Sequence, residues 1–519
     1  MKGALLVCGT HSDAGKSVIV AGMCRWLHRC GVRVAPFKAQ NMALNSVVTG
    51  DGNEIGRSQA VQAAAAGIEP ETAMNPVLIK PSGERHSQVV VMGQPYADAD
   101  ARSFQTLKHE LRPIVGAALA DLRSRYDVVI CEGAGSPAET NLRDGDLTNM
   151  GLARSADLPV LVVGDIDRGG VLASLFGTLA LLKPGDQAQV AGFVINKFRG
   201  DGAILAPALT QLETLTGRPT IGVLPFVQDL WMDVEDSLSL DADRPEVPTS
   251  ADTIDIAVVR LSWMSNFTDI DALTSEPGVR VRFTRSVADV ERADLVVLPG
   301  TKATVEDLQR LREAGLGRAI VDRASAGSPV LGICGGYQML GERIIDRVES
   351  RLGEVAGLGL LPVVTTFAPD KMLHRSSGYC GWLETEASGY EIHHGRVVRH
   401  GGETLLRAQD GGEEGCRRGT VLGTTWHGLL EDDGMRRALL RWVAALRGRT
   451  IAPSTTCFAA VREARLDALG DLVAGHLDTA RLSALIENGA PRGLPTLRSE
   501  AIPKPEPTLR SEAGECCVS

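Results

Sequence analysis

Apolar and polar positions alternate along this chain in blocks. From residue 1 to about 235, short apolar runs (ALLVC, RVAPF, DVVICEG, PVLVVGD and AGFVINK) are separated by stretches with helical spacing of apolar residues. Short apolar runs bounded by turn signals read as strands buried on both faces, and such strands belong to parallel sheets covered by helices. Sheets of this kind bind ligands at the carboxyl ends of their strands. There the chain keeps its Gly, Asp, Asn and Lys residues. Residues 236–253 (DSLSLDADRPEVPTSADT) turn polar and read as a linker. A second α/β rhythm follows through IDIAVVRL, VRVRFTR, DLVVLPG, PVLGICGG and GTTWHGL, which places a second domain at 254–440. Residues 441–488 have helical spacing. The stretch 489–519 is rich in Pro and Glu and holds PTLRSEA twice, at 495–501 and 507–513. Two copies without an apolar core predict a disordered tail. The expected fold class is α/β, with two parallel-sheet domains and flanking helices.

Composition narrows the function. At 519 residues the chain exceeds a single core. A formal charge of −10 argues against a nucleic-acid partner. No window approaches the roughly 18 continuous apolar residues of a membrane span. The ten cysteines are scattered without a zinc-type pair, and only Cys516 and Cys517 adjoin. With no signal-peptide pattern, this predicts reduced thiols and a cytoplasmic protein.

The first chemical motif is Gly9-Thr10-His11-Ser12-Asp13-Ala14-Gly15-Lys16-Ser17, between a buried strand and a helix. Phosphate binding needs inward backbone N–H groups, glycine where a Cβ would obstruct, and an open helix N-terminus. A lysine for the outer phosphates and a hydroxyl for Mg²⁺ complete the set. ATP with Mg²⁺ is therefore the expected nucleotide. The strict GxxxxGK[ST] spacing would put glycine at Thr10; here it stands one residue earlier, at Gly9. That offset resembles the GTxxxxGK[ST] loop of dethiobiotin synthetase and its relatives, which phosphorylate carboxylates on small molecules. Mg²⁺ asks for hard oxygen ligands. Ser17, Glu132 at the end of DVVICE, and Glu54 at the head of an Ala-rich helix are the candidates. Asn196, after AGFVI, is placed to read adenine.

The second motif is PVLGICGGYQML (329–340). Its GxCxG core matches the nucleophile elbow, which lifts one side chain out of a strained strand–helix turn. The turn exposes Cys334 at a helix N-terminus, where thiolate is favoured. The Gly335 N–H faces a developing oxyanion, and the Gly300 backbone in LPGTK offers a second donor. A base is needed: His427 in GTTWHGLL and His393 or His394 in YEIHHG all qualify on residue type.

The two motifs together, with PFKAQNMALNS (36–46), DGNEIGRSQAVQA (51–63), MNPVLIKP (74–81), EGAGSPAE (132–139), GDIDRGG (164–170), INKFRG (195–200), LPGTK (298–302) and YEIHHG (390–395), resemble the cobyric acid synthases. These are glutamine-dependent amidotransferases of cobalamin biosynthesis. The resemblance covers about 1–440 and leaves the repeated tail aside. It implies ATP- and glutamine-dependent amidation of the b, d, e and g carboxylates of (adenosyl)cobyrinic acid a,c-diamide, with glutamine and a corrinoid as substrates. It carries the nucleophile onto Cys334 and the base onto His427, ahead of His393. ATP and Mg²⁺ contacts fall on Lys16 and Ser17. Lys38, Gln40 and Asn41 are implied for the carboxylate or phosphate, and Asp165 for metal or corrinoid. Other triad-type glutaminases place a glutamate two residues beyond the histidine, where this chain has Leu429. The cobyric acid group is similar in lacking it. Cobyrinic acid a,c-diamide synthase shares both domain types and is the nearest alternative. CTP synthase, another P-loop domain fused to a Cys elbow, is disfavoured by the missing glutamate, and a P-loop ATPase switch with an inactive glutaminase domain is a further alternative.

Overall fold

A computed structural model describes residues 1–83, 86–227, 253–451 and 454–497. The predicted linker 236–253 lies outside these residues except for Thr253. Most of the repeated tail lies outside them as well.

The first domain is built on six parallel strands in the order Thr220–Pro225, Val190–Phe198, Val160–Asp165, Gly3–Gly9, Val128–Glu132 and Val34–Phe37. Gly3–Gly9 is flanked by strands from both directions of winding, so the loop that follows it opens at the point where the strand order reverses. That point is the ligand crevice of such sheets. Register puts Glu132 beside Val7, and Asn196 beside Asp165, at the same carboxyl edge.

The second domain repeats the plan. Strands Val279–Thr284, Ile254–Val259, Leu295–Leu298, Val330–Ile333 and Val421–Thr424 run parallel, and Cys416–Arg418 closes the edge antiparallel. The α/β expectation holds in both sheets. A feature without a sequence signal is the long antiparallel hairpin Val363–Cys380 and Thr385–Arg399. It reaches the first domain, where Tyr390 and Ile392 join the core.

Between the domains sits a group of buried charges. Glu54 takes Lys80 of its own domain on Oε1, at 2.6 Å, and Lys371 of the hairpin on Oε2. Lys371 belongs to the irregular stretch of the hairpin between Phe367 and Met372. Burial pushes the Lys371 ammonium down to about 7, against the pull of Glu54 and with help from Lys80 and Lys302. Arg375 also donates to the Val48 carbonyl at 2.8 Å, and Arg57 pairs with Glu431 at 2.7 Å.

Two segments differ from their sequence reading, the boundary at 440 and the start of the tail, while the C-terminal helices form as expected. A boundary at 440 would cut the helix Asp433–Leu446, which is continuous and packs Leu439, Leu440 and Val443 into the second core. The helices Phe458–His476 and Thr479–Asn488 then return to the first domain. Leu466, Leu469, Val473, Leu482 and Ile486 pack with Leu5, Val7 and Ile19. Arg25 of the helix Lys16–Arg29 anchors them through Asp467 and Glu463 at 2.8 and 2.6 Å. The tail, expected to be disordered from 489, instead keeps 489–497 against the first domain. Gln187 and Leu497 exchange two hydrogen bonds of 3.1 and 2.8 Å, and the buried Arg218 donates to the Pro495 carbonyl. A buried guanidinium and amide hold this segment because each needs an acceptor.

A chain ended after 497 is expected to keep the wild-type thermal midpoint. One ended after 488 should lose about 1–3 kcal/mol, read by chemical denaturation, with glutamine-dependent activity unchanged at low temperature.

Candidate active site

The phosphate loop follows directly from its residues. Gly15 is left-handed (φ 96°), and a Cβ there would stand 2.0 Å from Asn196 Nδ2. Only glycine fits both demands. The Asn196 amide donates to the Ala14 carbonyl at 3.0 Å. It therefore braces the loop through its backbone. Gly9 and Thr10 open the loop, and the Thr10 N–H donates to the Val163 carbonyl at 2.9 Å. The Lys16 ammonium donates to the His11 carbonyl at 3.0 Å, so it curls over the loop it belongs to.

Glu132 is the hub beneath this loop. Ser17 Oγ and Lys38 Nζ donate to its Oε1 at 2.7 and 2.9 Å, and Gln62 Nε2 donates to Oε2 at 2.6 Å. Burial works to raise this carboxyl, but Lys38 and the three hydrogen bonds outweigh it and hold it below its usual range. A hydroxyl and a carboxylate side by side at a strand's carboxyl end form a hard-oxygen pair suited to Mg²⁺. Ser17 and Glu132 thus fit the metal expectation.

Glu54 does not. Its oxygens are occupied by Ser46, Lys80 and Lys371, and charge from the two lysines depresses its carboxyl despite burial. It stands in the strand Glu54–Gly56 at the domain junction, held by cations. Asp165 is likewise engaged: Lys197 pairs with it at 2.8 Å and also donates to the Asp13 carbonyl, while the Asp167 N–H caps it at 2.9 Å. It steadies the loop from the next strand. Of the substrate candidates, Lys38 joins Glu132 and Gln40 is half-buried. Asn41 is buried and donates to Gln59 at 2.9 Å, which makes it a support for the helix Arg57–Ala65.

In the second domain the strand Val330–Ile333 ends at Cys334, whose backbone is strained (φ 49°, ψ −108°) before the helix Gly335–Leu340 begins. This is the elbow geometry. A Cβ on Gly336 would lie 1.9 Å from the Leu298 carbonyl, so glycine is required for the helix to seat on the neighbouring strand. The same packing sets Gly335 against the Gly300–Thr301 turn: a Cβ on Gly335 would meet the Thr301 N at 3.0 Å, and one on Gly300 would meet His427 Cε1 at 2.8 Å. The two backbone segments named for the oxyanion, the sulfur and the imidazole therefore converge.

His427 stands beside Cys334, close enough for each to shift the other's protonation. Its Nδ1 donates to Asp269 Oδ2 at 2.7 Å, and the Gly428 N–H donates to Asp269 Oδ1, also at 2.7 Å. Tyr390 stacks on the imidazole at 5.6 Å between centroids. Burial would raise the Cys334 thiol, but the His427 charge and hydrogen bond bring it below its ordinary value. Burial would lower His427, and Asp269 with Cys334 raises it instead. The pair is thus biased toward thiolate and imidazolium. His393 is bonded to Glu391 at 3.4 Å and His394 to the Ala368 carbonyl at 3.1 Å. Of the three, His427 lowers the Cys334 thiol most, with a smaller contribution from His393.

Asp269 was missed in the sequence. It stands 158 positions before His427, in the turn Phe267–Ile270. No local motif surrounds it. The one signal was negative: Leu429, where other glutaminases have a glutamate, is buried in the second core.

These two centres define the class: a nucleotide-binding domain joined to a triad-type glutamine amidotransferase. Residues 5–240 match the CobQ/CobB/MinD/ParA nucleotide binding domain, and 255–435 match the CobB/CobQ-like glutamine amidotransferase domain. The cobyric acid synthase of Frankia casuarinae is 57% identical over 524 residues, covering 95% of this chain and 99% of that protein. That of Rhodococcus jostii is 57% identical over 507 residues, covering 96% and 99%. A solved glutamine amidotransferase matches 37% of this chain and 98% of its own, at 21% identity and a TM-score of 0.30. The chain belongs to the cobyric acid synthase family, and it is a glutamine-dependent ligase of cobalamin synthesis.

Replacing Asp269 by Asn should lower kcat for glutamine hydrolysis about 10²–10⁴-fold with little change in KM, as loss of a histidine's orienting carboxylate does elsewhere. Because Asp269 raises His427, the alkaline limb of the pH–rate profile should move to lower pH. Steady-state glutaminase assays across pH check both.

Proposed function

We propose that this enzyme amidates the b, d, e and g carboxylates of (adenosyl)cobyrinic acid a,c-diamide, using Cys334 to release ammonia from glutamine. The observation that carries the reading is the pairing, in one chain of this family, of the Ser17–Glu132–Lys38 group with the Cys334–His427–Asp269 group.

A carboxylate oxygen is a poor leaving group, so the acid must first be activated. At the first site, Lys16 and the loop N–H groups bind the ATP phosphates and Lys38 draws in the substrate carboxylate. Its oxygen attacks the γ-phosphorus, the bond to the bridging oxygen breaks, and ADP leaves with an acyl phosphate formed. Ser17 and Glu132 would hold Mg²⁺, which neutralises phosphate charge when bound. At the second site the Cys334 thiolate attacks the glutamine carboxamide carbon. The oxyanion meets the N–H groups at Gly335 and the Gly300–Thr301 turn, His427 gives its proton to the leaving nitrogen, and ammonia departs from a thioester. Water activated by His427 then releases glutamate. Ammonia attacks the acyl phosphate, phosphate leaves, and the amide remains. Nitrogen must cross between the domains unprotonated, which favours a water-poor route through their buried junction. Both steps fit a reduced cytoplasmic enzyme.

The test is amidation counted by mass spectrometry on the a,c-diamide with ATP, using wild type, Cys334→Ser and Lys16→Ala. Four new amides are expected from wild type. Cys334→Ser should lose glutamine-driven turnover yet work with ammonium salts, whereas Lys16→Ala should fail with either nitrogen source. Amidation of cobyrinic acid at positions a and c would assign the enzyme to the diamide synthases instead.

A further inference from the structure

One unit of the nucleotide-binding domain touches both centres. The hairpin 46–56 runs straight into the helix Arg57–Ala65. At the far end of that helix Gln62 holds Glu132 at 2.6 Å, beside Ser17. At the near end the unit meets the two segments that carry Asp269 and His427. Arg57 pairs with Glu431, four residues beyond His427. The Ser46 N–H donates to Asn266 Oδ1 across the domain boundary at 2.9 Å.

Asn266 has left-handed backbone (φ 51°, ψ 35°) and opens the turn Phe267–Ile270, and its carbonyl accepts the Asp269 N–H at 3.0 Å. The orientation of that turn decides where the Asp269 carboxylate points. Ser46 is itself fixed. Its hydroxyl donates to Glu54 at 2.7 Å and accepts from Lys80 at 2.8 Å, and Glu54 is gripped from the other domain by Lys371. Ser46 is fully buried, and Asn266 and Asp269 are each 3% exposed. Water therefore offers no substitute partner if the cross-domain bond is lost.

On the reading of Cys334 as the glutaminase nucleophile, we infer that Asn266 is a positioning residue: through its bond to Ser46, the seating of the nucleotide-binding domain sets the aim of Asp269 on His427 and so controls thiolate formation. Asn266 touches no reacting atom and acts only through the turn it starts. With the bond made, the turn is pinned at its strained first residue and Asp269 keeps its two-point hold on His427 and Gly428. With the bond gone, the first residue swings and that hold loosens.

Two substitutions separate this role from a general fold defect. Asn266→Gly deletes the acceptor yet suits left-handed backbone. Asn266→Asp keeps both the Oδ1 acceptor and the tolerance of that conformation. In the full-length enzyme, glutamine hydrolysis and ammonium-driven amidation are measured for each. The pH dependence of Cys334 alkylation by chloroacetamide is followed by mass on the Cys334 peptide. Asn266→Gly should lower glutaminase kcat about tenfold or more, with KM and ammonium-driven amidation within about twofold. Its alkylation midpoint should move to higher pH, because a loosened His427 stabilises the thiolate less. Asn266→Asp should restore the glutaminase kcat. The inference is overturned if Asn266→Gly keeps the wild-type alkylation profile, if its glutamine hydrolysis and ammonium-driven amidation fall in parallel, or if the kcat of Asn266→Asp falls as that of the glycine variant does. Failure of the underlying reading shows separately: wild-type Cys334 would resist a glutamine-mimicking alkylator while glutamine is still consumed.

Discussion

A carboxylate withdrawn from water must be met by opposite charge and hydrogen bonds, and this molecule is organised around three that are. Glu132, Glu54 and Asp269 are each 3% exposed or less. Left without partners, a charge so placed is costly. Their partners come from separate segments: Ser17, Lys38 and Gln62 for the first, Ser46, Lys80 and Lys371 for the second, His427 and the Gly428 backbone for the third. Meeting each charge therefore pulls distant stretches of chain to one point. One of those points lies beneath the phosphate loop, one beside the cysteine elbow, and the third at the seam between the domains.

This accounts for what could be read in advance. The phosphate loop and the cysteine elbow are contiguous, because each is a strand, a tight turn and a helix start whose chemistry resides in the turn. Lys16, Ser17, Cys334 and the glycines around them could be named from their own neighbours. Glu132 was accessible for a similar reason, as the last residue of a buried strand. The base was harder. Residue type left three histidines open, and the resemblance to a family chose His427, which stands beside Cys334 and pairs with Asp269.

What stayed hidden depends on contacts between segments far apart in the chain. Asp269 lies in a short polar turn with no pattern of its own, and only the fold carries it to His427. Glu54 stood at the head of a helical stretch and looked available for metal, because neither Lys80 nor Lys371 is near it in sequence. Asn41 and Asn196 stand at strand ends, and their bonds to Gln59 and to the Ala14 carbonyl join segments that sequence alone does not bring together. The same blindness applied to 441–497. Helical spacing was plain, but periodicity does not say which sheet a helix will cover.

That last point has a consequence for how the molecule is made. The helices Phe458–His476 and Thr479–Asn488 cover Leu5, Val7 and Ile19, which leave the ribosome hundreds of residues earlier. During synthesis the first sheet waits with an apolar flank uncovered while the second domain, contiguous in sequence, can fold. The nascent chain thus passes through a stage with its later half complete and its earlier half sticky. That stage is a natural substrate for chaperones and the point at which aggregation competes with maturation.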